Sequence, residues 1–235
     1  MNVMLKQFPR DIIWPMRILL ATMNEGKIKE LKRMLQNEGL EVTGLDAIAT
    51  DEDIETGSTF AENALLKARY YHTMTGLTTI ADDSGLEVDA LGGAPGIYSA
   101  RYGGPAATDG DRIIKLLGEL QEVPIEARGA RFVCAAAIVW GGGERVFEDE
   151  SRGFVLTRPR GDGGFGYDPV FYYPPLDRTF AELMPEEKEE VSHRGRAFQK
   201  LAGWLKGSDA LDMMKSSDKI NDPNGKNHCF HTFNR

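Results

Sequence analysis

The run Phe132-Val133-Cys134-Ala135-Ala136-Ala137-Ile138-Val139 contains no charged side chain. It reads as the centre of a strand, Arg131–Trp140, buried on both faces, and such a strand needs a covering layer on each side of its sheet. Further strands are expected in the apolar run opened by Met16, Arg17-Ile18-Leu19-Leu20-Ala21, and at Leu40–Leu45, Thr78–Ala81 and Arg145–Asp149. Helical spacing supplies the covering layers. Ile28, Leu31, Met34 and Leu35 recur on one face of a helix over Glu25–Gln36, which Gly39 stops. A second helix, Thr59–Thr75, opens on the capping-box pair Thr59 and Glu62 and ends at Gly76. A third spans Asp109–Leu120, and a last one, His193–Leu205, aligns Ala197, Leu201, Trp204 and Leu205. Strands alternating with helices specify an α/β architecture with a mostly parallel or mixed sheet. No solenoid repeat or heptad is present.

The 235 residues, 41% hydrophobic and 27% charged, are enough for one good core of ordinary globular composition. Residues 1–15 have no period and end in Trp14-Pro15, so they read as a flexible extension before Met16, itself an alternative start. Beyond Lys206 the composition turns to Ser, Asp, Lys and Asn. The organisation expected is therefore an extension over 1–15, a folded domain over 16–206 and a polar, flexible tail over 207–235. His228, Cys229 and His231 in that tail fall short of a four-ligand metal centre and read as part of an unstructured end.

The net charge of −8 and pI near 5.1 argue against a nucleic-acid groove, which needs a basic footprint. They leave room for a nucleotide pocket, which needs only a few local cations. Cys134 and Cys229 lie far apart and suggest no disulfide framework. No apolar stretch reaches the roughly 18 residues of a membrane span, and the N-terminus is too broken for a secretory signal. A cytoplasmic protein without a membrane partner is expected.

Four segments concentrate polar residues and glycine near strand ends, where open α/β sheets gather ligands. Thr22-Met23-Asn24-Glu25-Gly26-Lys27 follows the first strand and opens the first helix. It is either a phosphate site built on free helix N–H groups or an ordinary N-cap, and it is not a Walker loop. In Ala81-Asp82-Asp83-Ser84-Gly85 two adjacent acids close an apolar strand. Mg²⁺, a hard ion that takes carboxylate oxygens, would account for them, and one acid could deprotonate an attacking water. A solvated turn is the alternative. Gly161-Asp162-Gly163-Gly164-Phe165-Gly166-Tyr167-Asp168-Pro169 lets backbone approach a ligand and offers Phe165 and Tyr167 for stacking, or is a hairpin loop with two packed aromatics. Glu186-Glu187-Lys188 and Ser192-His193-Arg194 supply the candidate cations Lys188 and Arg194, with His193 either a donor to a carbonyl or a packed side chain.

Taken together, ILLATMNEGKIKEL, ETGSTFAENALLKA, ADDSGLEVDALGGAPGIYSARYGG, GGFGYDPVF and EEKEEVSHRGRAF closely resemble, in order over residues 16–205, the inosine triphosphate pyrophosphatase family. The resemblance implies an elongated mixed β-sheet flanked by helices, two lobes around a central substrate cleft, and a homodimer. It implies Mg²⁺-dependent cleavage of ITP, dITP and XTP between the α- and β-phosphates, which clears them from the nucleotide pool. Carried over, Thr22, Met23, Asn24, Glu25, Gly26 and Lys27 hold the triphosphate with Ser84. Asp83 binds metal and accepts a proton, and Glu55 faces the same metal, although Ile54 stands where relatives often carry a second acid. Phe165, Gly166, Tyr167 and Asp168 hold base and sugar, Lys188 contacts phosphate, and His193 and Arg194 read the 6-oxo edge. The rival readings are a pyrophosphatase for modified pyrimidine nucleotides, a nucleotide sensor without turnover, and an RNA-binding protein. The aromatic loop, the intact Asp83, Lys27 and Glu55, and the acidic balance weigh against them in turn.

Overall fold

A computed structural model describes residues 16–35, 40–45 and 54–207. In chain order the elements are β1 (Met16–Leu20), α1 (Glu25–Leu35), β2 (Leu40–Thr43), α2 (Phe60–Thr75), β3 (Thr78–Val88), α3 (Asp109–Glu119), β4 (Gly129–Trp140), β5 (Gly143–Val155), β6 (Phe171–Tyr173), β7 (Arg178–Thr179), α4 (Pro185–Val191) and α5 (His193–Leu205). The strands form one open sheet in the order β2-β1-β3-β4-β5-β6-β7. β1 runs parallel to β2 and β3, and every later pairing is antiparallel. The sheet is therefore mixed and flanked by helices.

The alternation of side chains along β4 places Cys134, Ala136 and Ile138 in one core and Ala135, Ala137 and Val139 in another. The first core lies under α1 and α5 with Ile18, Leu20, Phe198 and Leu201. The second lies under α2 with Leu19, Ala64, Ala68 and Tyr71. Both faces of the central strand are covered, as its apolar run requires. A third core gathers Leu86, Phe132, Phe171 and Phe180 with Ile113 and Leu116 of α3 at the other end of the long strands. Each such side chain taken out of water stabilises the fold by roughly 1.5–3 kcal/mol. Two cored ends on one continuous sheet leave a cleft between them.

The second helix begins as its sequence predicts: the Thr59 hydroxyl accepts from Glu62 N at 3.1 Å, and Gly76 closes it at φ 69°. β3 differs from expectation. It continues beyond Ala81 to Val88, so Asp82 and Asp83 lie within the strand instead of at its end. Buried acids inside a strand are tolerable because each has partners, described below. β5 likewise extends beyond Arg145–Asp149. β6, β7 and α4 are too short for a clear periodic signal. Gln36 and Gly39 at the end of the first helix, the 1–15 extension, and the tail with His228, Cys229 and His231 lie outside the described residues. Among the described residues no helix is long and apolar enough to cross a membrane.

Candidate active site

A cleft of about 430 Å³, the size of a small-molecule site, brings together residues from all four polar segments. β1 ends into Thr22, and the chain then turns into α1. Asn24 caps this helix, its Oδ1 accepting from Lys27 N at 3.1 Å, while Thr22 Oγ1 accepts from Asn24 N at 3.3 Å. The N-cap and the cleft-lining roles thus fall on the same residues, since Thr22, Met23, Asn24 and Lys27 all line the cleft. Glu25 and Gly26 belong to the first turn of α1 without lining it. A Cβ on Gly26 would lie 2.6 Å from the Phe165 ring, so this glycine sets how closely α1 approaches the aromatic loop.

Asp82 and Asp83 divide between the two faces of β3. Asp82 is 0% exposed, and its Oδ2 lies 2.9 Å from Lys27 Nζ and 3.3 Å from Arg194 Nε. Burial opposes its charge, but Lys27 and Arg194 hold it well below the usual carboxylate range. Asp83 lines the cleft on the α2 side, accepting from Asn63 Nδ2 at 3.1 Å and from Ser84 N at 2.9 Å. Burial pushes its carboxyl up, and Lys67 and Lys27 only partly offset that. Lys67 donates to Glu55 Oε1 at 2.6 Å and to the Asp82 carbonyl at 2.7 Å. Burial alone would raise Glu55, yet Lys67 keeps it below its ordinary value. Glu55 and Asp83 thus line the same end of the cleft.

Against the first turn of α1 the cleft wall is aromatic. Gly164, at φ 71°, lets the loop curl around Asp168, whose Oδ2 accepts from Phe165 N at 2.8 Å and from Lys188 Nζ at 2.6 Å. Lys188 and Arg194 sit 4.7 and 5.3 Å from the centre of the Phe165 ring. Gly166 donates to Asp109 of α3, and Tyr167, buried in the third core, donates its hydroxyl to Ser99 O. Lys188 lies at this aromatic wall, paired with Asp168 and with Glu30 at 3.0 Å. Arg194 is 3% exposed, bound to Glu30 Oε2 and Ser84 Oγ at 2.7 Å each. His193, at the start of α5 after the Ser192 cap, stacks on Phe132 with centroids 4.6 Å apart. Its Nδ1 is buried without a partner, and burial holds its imidazole well below the ordinary value. The packed-histidine reading and the cleft-lining reading are both met.

Sequence reasoning missed Asn63, Lys67, Glu30, Arg101 and Arg112. Asn63 and Lys67 stand one turn apart on α2, and Lys27 and Glu30 one turn apart on α1, spacings that put each pair on one helix face. Arg101 and Arg112 line the rim and carry no comparable signal.

These features define a class: an α/β protein whose open mixed sheet carries a cation-lined, nucleotide-sized cleft with an acidic pair and an aromatic loop in its walls. The profile of the Ham1 family matches residues 18–204, and the chain belongs to that family. A Yersinia pseudotuberculosis protein named dITP/XTP pyrophosphatase is 49% identical over 193 residues, covering 81% of this chain and 98% of its own. A Frankia alni protein of the same name is 52% identical over 200 residues, with the same coverage. The solved structure of the Staphylococcus aureus Ham1 protein superposes with a TM-score of 0.73 at 42% identity, covering 81% of this chain and 98% of that one.

Proposed function

We propose that this protein hydrolyses non-canonical purine nucleoside triphosphates (ITP, dITP and XTP) to the monophosphate and pyrophosphate, keeping them out of DNA and RNA. The observation that carries the reading is the make-up of the cleft: Lys27 with the polar turn over 22–24 after β1, the acids Asp83 and Glu55, and Phe165 beside the buried donors of Arg194. The names of the relatives, dITP/XTP pyrophosphatase, support the same substrate class.

In this reading Thr22, Asn24 and Lys27 bind phosphate oxygens from α1, with Ser84 beside them, while Met23, Glu25 and Gly26 shape that turn. Phe165 stacks the base, worth roughly 1–3 kcal/mol, and Gly166, Tyr167 and Asp168 hold the loop around base and sugar. His193 and Arg194 present donors to the purine, and Lys188 contacts phosphate. Hypoxanthine and xanthine offer a carbonyl at position 6, whereas adenine offers an amino group and leaves buried donors unpaired.

The donor set fits magnesium. Asp83 and Glu55 supply hard carboxylate oxygens, and no cluster of three or more metal-binding side chains occurs among the described residues. Mg²⁺ commonly sits on one or two carboxylates and completes its shell with water and substrate phosphates, so two acids suffice. When bound, the ion would neutralise charge on the phosphates. Asp83 is placed to accept the proton of the attacking water, and Lys67 fixes Glu55 against the β3 backbone. A cytoplasmic setting and the homodimer implied by the family resemblance belong to the same proposal. Incubation with ITP and Mg²⁺ tests it by product: IMP and pyrophosphate support it, and IDP with orthophosphate contradicts it.

A further inference from the structure

We infer that Asp82 is a positioning residue that ties the phosphate end of the cleft to its base end, so that the two ends respond to a nucleotide as one unit. The inference rests on the functional reading above and assigns Asp82 a role distinct from that of Asp83. Asp82 lies on the opposite face of β3 from its neighbour and does not line the cleft, so it is a poor candidate for metal ligand or water activator. It is fully enclosed, and one of its oxygens, Oδ2, meets both Lys27 Nζ at 2.9 Å and Arg194 Nε at 3.3 Å. The other oxygen, Oδ1, is buried without a partner.

That arrangement makes two cations compete for a single acceptor. Lys27 rides on α1 in the candidate phosphate segment, and Arg194 rides on α5 beside the Phe165 ring. A phosphate that draws Lys27 away leaves Arg194 as the main partner of Oδ2 and changes how firmly its guanidinium is held. A base that engages Arg194 acts on Lys27 in the reverse sense, as linkage between sites demands. The charge chain continues from Arg194 to Glu30, from Glu30 to Lys188 and from Lys188 to Asp168, which accepts from Phe165 N.

Asp82→Asn tests the role, because it keeps the shape and an acceptor oxygen while removing the charge. The expected result is a KM for ITP raised ~10-fold or more and an ITP-to-ATP ratio of kcat/KM lowered by a similar factor, since charge-assisted contacts at both ends are loosened together. A lower melting temperature with KM and the ratio both within about twofold of wild type would make Asp82 a structural ion and overturn the inference. Uncompensated buried cations can prevent folding, so a second arm leaves Asp82 in place. Lys27→Ala, Arg194→Ala and the double variant are compared by ITP binding in calorimetry as well as by kcat/KM. Coupling predicts non-additivity of ~5-fold or more, and additivity within about twofold overturns it. Wild-type protein that binds ITP and releases no pyrophosphate contradicts the pyrophosphatase reading alone, and the binding cycle then still decides the role of Asp82.

Discussion

Asp82 and Asp83 are consecutive in the chain yet bind on opposite faces of β3, Asp82 to Lys27 at 2.9 Å and Asp83 to Asn63 at 3.1 Å. The period of two along a strand separates them, so their roles separate as well. Asp83→Asn is expected to lower ITP turnover ~10²-fold or more, the usual loss when a general base is removed. The amide oxygen can accept from Asn63 or from Ser84 N but not from both, so a modest fall in melting temperature should accompany the much larger loss of rate. A variant retaining a tenth of wild-type rate would exclude the proton-acceptor role.

Gly26 offers a test in which stability and activity move apart. Alanine is the better helix former, by roughly 0.8–1 kcal/mol in a helix interior and by less in the first turn where Gly26 stands, so Gly26→Ala should not weaken α1 itself. Its methyl group would lie 2.6 Å from the Phe165 ring, which must then move off α1. The expected outcome is a Tm close to wild type together with a KM for ITP raised ~5-fold or more, the lower bound of the roughly 1–3 kcal/mol that base stacking supplies. An unchanged KM would show that the ring position against α1 does not matter to binding.

His193 makes stability depend on pH. Burial first, and the cations of Arg194 and Lys188 after it, hold the imidazole well below its usual value of 6.5. Below pH 6.5 the unfolded chain takes up a proton that the folded protein refuses, so the unfolded state binds more protons and stability falls as pH falls. The Tm should drop between pH 7 and pH 5, and His193→Gln should show a smaller drop over the same interval. Equal drops in both proteins would remove His193 from the account.

The periodic parts of this fold were legible in the sequence because period alone decides them. The β4 run needs cover on both faces and receives it, and α5 spans His193–Leu205 as its apolar positions predict. The strand that was read as ending at Ala81 runs on through two acids, because Lys27 and Arg194 come from distant chain segments that no local pattern reveals. The same reason hid Glu30, which meets Lys188 and Arg194 across more than 150 residues. Lys67 was more accessible, standing one helical turn after Asn63 in a segment already singled out by Glu55. Cleft residues inside a dense polar segment were thus easier to find than Arg101 and Arg112, which line the cleft from outside one, or than Glu30, whose partners lie far along the chain.

The central claim is that the cleft selects 6-oxo purines over adenine, and kcat/KM for ITP, dITP, XTP and ATP with Mg²⁺ tests it most directly. Buried donors at His193 and Arg194 predict that ITP, dITP and XTP exceed ATP by ~10²-fold or more, because the wrong base leaves those donors unpaired. The products should be the monophosphate and pyrophosphate in each case. Rates for ATP within about tenfold of those for ITP would contradict the account.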